Sequence, residues 1–424
     1  MKKIWGCLLL ITVLAFFISQ IKRVTYVPFK NKTSPIIDFN AQNVVTLNDH
    51  YFKLKFKFPN IKIIQNINML ADDDVILLPW YSKAPQLQYL PINGHSFFDT
   101  KEGAIQVKTF TKNKDGYQDL LLNKTELTAG GTVVLARGVH KAIQRHNDID
   151  YPWKDTRHLF TKSGINILNF KSPLISDFKY PKSSWVLIGK SEYAKAMANA
   201  NIHLVSLAGN HMGDAKTNGL LETIQTLKKL NIETIGAGRT NYSAYACKKI
   251  TRKNTMFGFL AFNNVPGSIG KPTEKSPGIA WLDNDAINAI KNCSNKVDIL
   301  VVMVNWGIEY THFPRTKERQ WAKKMIEAGA DLILGDQAHW VQTHELIHGK
   351  HVSYGLGNYI FDQHWSENTT EGIIQRFIFY KDEIVAIETT PIKLFRSGEV
   401  KEIEKNSPRF LHVFNAYNGV HALK

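Results

Sequence analysis

Asp298-Ile-Leu-Val-Val-Met-Val-Asn-Trp-Gly307 places six consecutive apolar side chains between an aspartate and a polar, glycine-containing loop. Such a run reads as a strand that opens into a loop. The same grammar recurs on both sides of it: His203 to Ala208 runs into Gly209-Asn210-His211, and Asp331 to Leu334 runs into Gly335-Asp336-Gln337-Ala338-His339. Between the first two strands, Leu220, Leu221, Ile224, Leu227 and Leu230 recur at helical spacing, with Glu222, Gln225, Lys228 and Lys229 largely on the other face. An amphipathic helix of this kind covers a sheet. From Thr128 onward the chain reads as an α/β domain. Its polar groups gather at strand C-terminal ends, where open α/β sheets build their sites.

Ahead of this domain, Phe52, Leu54, Phe56 and Phe58 alternate with Lys53, Lys55 and Lys57, a period of two that predicts a strand over Tyr51 to Phe58 with one buried face. Val75 to Leu78 is a second short apolar run. With the prolines at Pro79, Pro85 and Pro91 it suggests a small α/β subdomain over residues 50–127, joined by a polar linker, residues 24–49, to the amino terminus. Residues 396–424 read as a C-terminal tail. Ile4 to Ile21 holds no charged side chain over 18 residues, with Lys2 and Lys3 before it and Lys22 and Arg23 after it. As a helix this stretch rises roughly 27 Å against a hydrocarbon core of about 30 Å, a difference that snorkelling of Lys22 and Arg23 covers. Ala15 to Gln20 lacks an A-x-A cleavage pattern, so residues 1–23 are expected to be an uncleaved single-pass anchor.

With 424 residues, 44% apolar and 21% charged, the chain is neither disordered nor fibrous. Its 53 lysines and arginines against 37 acids leave +16, a balance that attracts polyanions or anionic lipid. No arginine-rich run or familiar nucleic-acid motif accompanies it, so nucleic acid is not expected as a partner. The alternative is lysine spread evenly without purpose. Cys7, Cys247 and Cys293 have no zinc-finger or C-x-x-C spacing, which excludes a thiolate metal site. In an extracytoplasmic body Cys247 and Cys293 can pair; otherwise they are two small buried hydrophobes.

Ser206-Leu-Ala-Gly-Asn-His211, Ile235-Gly-Ala-Gly238, Trp306-Gly-Ile-Glu-Tyr310, Glu327-Ala-Gly-Ala-Asp331 and Tyr354-Gly-Leu-Gly-Asn-Tyr-Ile-Phe-Asp-Gln363 occur in the order of the CapA family of capsule-synthesis proteins, which the chain resembles. Gly130-Gly-Thr-Val-Val-Leu135 and Asn169-Phe-Lys-Ser-Pro173 match the family's opening motifs in position. The resemblance covers about Thr128 to Pro391. It implies a calcineurin-like two-sheet sandwich flanked by helices over residues 128–395, an extracytoplasmic body at the cell membrane, and a role in poly-γ-glutamate capsule synthesis alongside membrane-embedded synthesis proteins. In metallophosphatase relatives a pair of divalent cations is held by carboxylate, imidazole and amide groups converging from strand ends.

This sequence departs from that pattern. Thr132 stands where the first acid is expected, Lys171 where a glutamate is expected, Asn305 where a histidine precedes Trp-Gly, and Gln337-Ala338 where His-Pro precedes His339. Asn210, His211 and His339 remain as the candidate catalytic residues. Two imidazoles and an amide supply too little negative charge for two dications, so no cofactor is expected. The alternative is a single Mn, Fe or Zn ion on His211, His339 and Asp336. Lys171, Asn305, Asp336, Gln337 and Asn358 are the candidate ligand-binding residues. Lys171 either holds an anionic carboxylate or phosphate or reaches solvent, and Asp336 either restores a metal ligand or pairs with Lys171. Gly357 and Asn358 shape a tight turn. His344, His348, His351 and His364 lack ligand spacing and are expected at the surface.

Three functions are compatible with these residues: an anchored accessory protein that assembles, holds or exports an anionic polymer such as poly-γ-glutamate; an altered-metal phosphoesterase-like hydrolase acting on a surface polymer; and a scaffold that works by charge alone.

Overall fold

The apolar runs become strands whose register lines up their polar ends. The computed structural model describes residues 123–404 and 407–418, together with the backbone of nine short strands between residues 24 and 111. The chain divides into two units, one of Met1–Lys124 with Glu383–Glu388 and one of Thr125–Asp382 with Thr389–Lys424. In the first, Asn43–Thr46 pairs in parallel with Lys62–Ile64 and with Val75–Leu77, which pairs antiparallel with Thr109–Thr111. The anchor expected over residues 1–23 and the strand expected over Tyr51 to Phe58 lie outside the described residues. Among the described residues no helix is long and apolar enough to cross a membrane.

The second unit carries the site. Its first sheet begins with β1 (Thr125–Val133), β2 (Ile165–Phe170), β3 (Leu204–Ser206) and β4 (Glu233–Ile235), all parallel. The second sheet is formed by β5 (Lys248–Arg252), β6 (Thr255–Asn263), β7 (Ile299–Asn305), β8 (Leu332–Asp336), β9 (His344–Ile347) and β10 (Lys350–Ser353), in the order β5-β6-β7-β8-β10-β9. The chain then returns to the first sheet through β11 (Asn358–Ile360), β12 (Glu371–Tyr380), β13 (Glu383–Leu394, of which the part from Thr389 belongs to this unit) and β14 (Val400–Glu402). That sheet runs β4-β3-β2-β1-β12-β13-β14, with β11 also paired to β1.

Helices α1 (Arg137–His146) and α2 (Lys216–Lys229) cover the outer face of the first sheet, where Val139, Ile143, Leu220 and Leu227 join Phe170 and Val205 in one core. Helices α3 (Asn284–Ser294) and α4 (Thr316–Glu327) do the same for the second sheet, with Ile290 and Met325 against Leu300, Val302 and Val304. Alternate residues of β7 turn to the opposite face, where Val301 and Met303 are also buried. A strand buried on both faces needs an uninterrupted apolar run. The inner faces of the two sheets meet directly: Phe257 packs edge-on to Phe379 at 5.2 Å, and Ser353 Oγ donates to Gln375 Oε1 at 2.7 Å.

The end of this sandwich is filled by α5 (Pro408–Tyr417), which together with β14 falls in the segment read above as a tail. The buried Tyr417 hydroxyl lies 2.9 Å from His351 Nε2, 2.7 Å from Gln375 Nε2 and 3.2 Å from Ser353 Oγ. Two expected surface histidines are therefore interior ones. His351 is fully buried, and His344 is partly buried, its ring stacked on both His351 and Tyr417. Each is covered by chain far away in sequence. His348 is exposed, as expected.

Burial lowers the pKa of His344 to about 4 and that of His351 well below the ordinary value. Below pH ~6.5 the unfolded chain then takes up protons that the folded chain refuses, so stability falls as pH drops, by up to about 1.4 kcal/mol per pH unit for each group. Urea midpoints are expected to decline from pH 7 to pH 5, and less steeply in His344→Gln. Identical slopes would mean that His344 titrates freely in the fold.

Candidate functional site

Parallel register makes the site. In the first sheet Thr132 is paired with Asn169, and in the second Asn263, Asn305 and Asp336 are neighbours across β6, β7 and β8. The two rows of strand ends meet at one carboxylate. Asp336, the last residue of β8 rather than part of the following loop, accepts from Thr132 Oγ1 at 2.6 and 2.8 Å and from Asn169 Nδ2. Lys171 Nζ stands 3.1 Å from Asp336 Oδ2 and donates to Gln337 Oε1 at 3.0 Å. Lys171 and Asp336 are 1% and 3% exposed. Burial pulls the Lys171 ammonium below its ordinary pKa, while the charges of Asp336 and Glu309 act to keep it protonated. Gly209 makes room for its stem: a Cβ there would sit 3.0 Å from Lys171 Cγ.

The histidines flank this pair. His339 Nδ1 lies 2.9 Å from Asn358 Oδ1, and Asn358 Nδ2 is committed to the Thr369 carbonyl at 2.8 Å. That orientation makes the imidazole Nδ1 the donor and leaves Nε2 with its lone pair, 3.7 Å from Glu309 Oε1. Burial first, then the Lys171 charge, depresses the His339 pKa to about 3, so the ring is neutral at physiological pH. His211 Nδ1 pairs with Asp214 Oδ2 at 2.9 Å, and the same carboxylate group also receives Leu187 N–H at 2.7 Å and Ser268 Oγ at 2.8 Å. Such a carboxylate fixes the ring's orientation. Gln337, His339 and Tyr310 all hold positive φ, at 94°, 55° and 64°. For side chains other than glycine this costs on the order of 1 kcal/mol each, and such strain concentrates where loops are shaped for a ligand.

The structure thus gathers Lys171, Asp336, Gln337 and His339 into one cluster and ties Asn358 to it through His339. Asn305 lies at its edge, beside Asp336 in the sheet, donating to Asn263 Oδ1 at 2.7 Å. His211 lies near enough to His339 for the two rings to interact electrostatically. Asn210 anchors the neighbouring loop: its carbonyl accepts from Ser268 N–H at 3.1 Å. Among the described residues, no donor reaches the buried carboxamide oxygens of Asn169, Asn210 and Asn305. Four contributors had not been singled out as site residues: Thr132 and Asn169 as donors to Asp336, Glu309 as the acceptor of Gln337 Nε2 at 3.0 Å, and Asp214. Asp214 was findable, three residues from His211.

A two-cation centre does not fit these side chains. The Asp336 oxygens are engaged by a hydroxyl, an amide and an ammonium, and Lys171 carries positive charge where a first cation would want a carboxylate. Among the described residues no three His, Cys, Asp or Glu side chains are grouped to hold a metal ion.

Residues 126–363, more than half of the chain, match the model of the bacterial capsule synthesis protein PGA_cap. The chain is 28% identical over 271 residues to the PGA biosynthesis protein CapA of Bacillus subtilis, covering 62% of this chain and 70% of that one. It is 29% identical over 268 residues to the capsule biosynthesis protein CapA of Bacillus anthracis, covering 59% and 63%. A probable polyglutamine synthesis accessory protein of Mycobacterium tuberculosis is 24% identical over 253 residues, covering 55% and 66%. Among solved structures, a 5'-nucleotidase precursor of Thermus thermophilus overlaps at a TM-score of 0.38 and 11% identity, over 71% of this chain and 59% of that one. The Haemophilus influenzae NAD nucleotidase overlaps at 0.34 and 13%, over 68% and 55%. These overlaps are too loose to argue from, and the assignment rests on the family match: the chain belongs to the bacterial capsule synthesis protein PGA_cap family.

Proposed function

We propose that this protein is a membrane-anchored accessory factor that holds an anionic polymer of the poly-γ-glutamate type during its synthesis or export, and that its calcineurin-like cleft binds rather than hydrolyses. The observation that carries this reading is the buried Lys171–Asp336 pair, 3.1 Å apart, seated where strand ends of the two sheets converge. A cation built into the chain takes up the local carboxylate. Family membership and the names of the relatives support the polymer. The apolar stretch from Ile4 to Ile21 supports the anchor, and the Cys247–Cys293 disulfide suits a body in an oxidising compartment outside the cytoplasm.

The hydrolase reading has one observation in its favour, the oriented His211–Asp214 dyad beside the neutral His339, two imidazoles able to move a proton or to ligate a single ion. The full-length protein, purified in detergent without chelator, separates the two. It is expected to carry well under one equivalent of Mn, Fe or Zn and to show no phosphodiesterase activity that His211→Ala abolishes. Lys171→Glu, which adds a carboxylate, should raise Mn²⁺ affinity and weaken oligo-γ-glutamate binding in calorimetric titrations. Stoichiometric metal with His211-dependent turnover in the wild type would establish the hydrolase instead.

A further inference from the structure

Arg137, Lys141 and Arg145 stand at i, i+4 and i+8 along α1, which sets them on one helix face at a pitch of about 6 Å. Beside them lies a cavity of about 530 Å³ whose opposite wall carries Tyr180, Lys182 and Trp185, with Trp365 also lining it. A second depression of about 520 Å³ continues past Lys141 and Tyr180 to Arg145. Asp362, the single carboxylate on these walls among the described residues, is already engaged by the Arg137 guanidinium and by Gly138 N–H at 2.8 Å. Among the described residues, Lys141, Lys182 and Arg145 therefore face the groove with no uncommitted acid on its walls.

The aromatic side chains are exposed to an extent that folding does not explain: Trp185 at 80%, Trp365 at 57% and Tyr180 at 46%. Flat rings held in a concavity beside cations are suited to a ligand that is anionic and has planar groups to stack. The wall is ordered by its own contacts. Arg137 Nη1 donates to the Ser184 carbonyl at 2.8 Å, and Lys141 Nζ lies 5.4 Å above the Tyr180 ring. The groove also adjoins the cleft: Trp365 meets Tyr310 edge-on at 6.2 Å, and Arg137 stacks over Phe361, whose ring is 5.5 Å from His339.

We infer that this groove is the subsite that grips the length of the polymer, with carboxylates on Lys141, Lys182 and Arg145 and backbone amide planes against Tyr180, Trp185 and Trp365. A γ-linked glutamate repeat adds five backbone atoms per residue, so in an extended chain successive carboxylates, roughly 6 Å apart by standard bond lengths, point to opposite sides in turn. Cations from two segments, Lys141 and Arg145 on α1 and Lys182 across the groove, suit carboxylates that alternate in this way. The inference rests on the polymer reading given above and places most of the affinity outside the strand-end cleft.

Titration of the full-length protein in detergent micelles with γ-linked oligoglutamates of two and of ten residues, followed by tryptophan fluorescence and calorimetry, tests it. The wild type is expected to bind the decamer at least tenfold more tightly than the dimer. Lys141→Ala with Arg145→Ala should weaken decamer binding about tenfold and leave dimer binding within twofold, and Trp185→Ala should remove most of the fluorescence change. These side chains are exposed, so folding is not at stake, and circular dichroism verifies that. Lys228→Ala with Lys229→Ala, on α2, is the control for diffuse charge. Wild-type binding of the decamer that the groove variants leave unchanged, or that the α2 control weakens equally, overturns the groove while the polymer reading stands. No binding of either oligomer overturns the polymer reading itself. A Trp185 response to an alternating uronic-acid oligosaccharide and not to oligoglutamate would mean that the occupant is wrong.

Discussion

Lys171→Met is expected to lower folding stability by about 3 kcal/mol. Removing one partner of a buried ion pair strands the other charge, at a cost of about 3–5 kcal/mol. The lower end applies because Thr132 and Asn169 still donate to the Asp336 carboxylate. Gln337 loses a donor at the same time, since its Oε1 accepts from the same ammonium. Lys171→Met combined with Asp336→Asn should recover most of the loss, because no charge is then left in the interior. Urea denaturation at neutral pH measures both. A loss under 1 kcal/mol for the single variant would mean that water reaches Asp336, and the cleft would have to be regarded as open at its floor.

Cys247→Ser with Cys293→Ala is expected to cost about 4 kcal/mol, the loop-closure entropy for a crosslink spanning 46 positions. The bridge joins the residue just before edge strand β5 to the buried face of α3, so it ties down the side of the second sheet that has no further strand to pair with. The variant and the reduced wild type should unfold at the same denaturant concentration, below that of the oxidised protein. Coincidence of reduced and oxidised curves would show that the bridge leaves the unfolded chain no more restricted.

Strands β3, β7 and β8 were legible because each is a run of apolar residues stopped by a polar or glycine-containing turn, and both faces of β7 and β8 are covered. The stripe on α2 was legible for the same reason, although the structure buries Thr223 with Leu220 and Leu227 while Leu221 is only partly buried. The site was legible to the level of position. Asp336 could be named from a strand end and Lys171 from its place in the family's Asn-Phe motif, and pairing between them was one of two readings; the choice depended on what stood opposite. Thr132, noted only as a missing acid, is a hydroxyl donor because a carboxylate 204 positions later points at it. His351 looked like a surface residue because the hydroxyl that meets its ring arrives 66 positions later on α5. A local pattern cannot carry that information. The His211–Asp214 pair is different, being local: a histidine and an aspartate three positions apart in one turn are readable without the rest of the fold.

Tyr417 has a consequence for the order in which the body can be completed. His351, Ser353 and Gln375 all turn polar atoms to its hydroxyl between the two sheets. During synthesis, amino end first, those groups emerge before the residue that caps them. Until α5 follows, the sandwich is left with a wet end, and a chaperone would meet it as a nearly finished sheet pair awaiting its last helix.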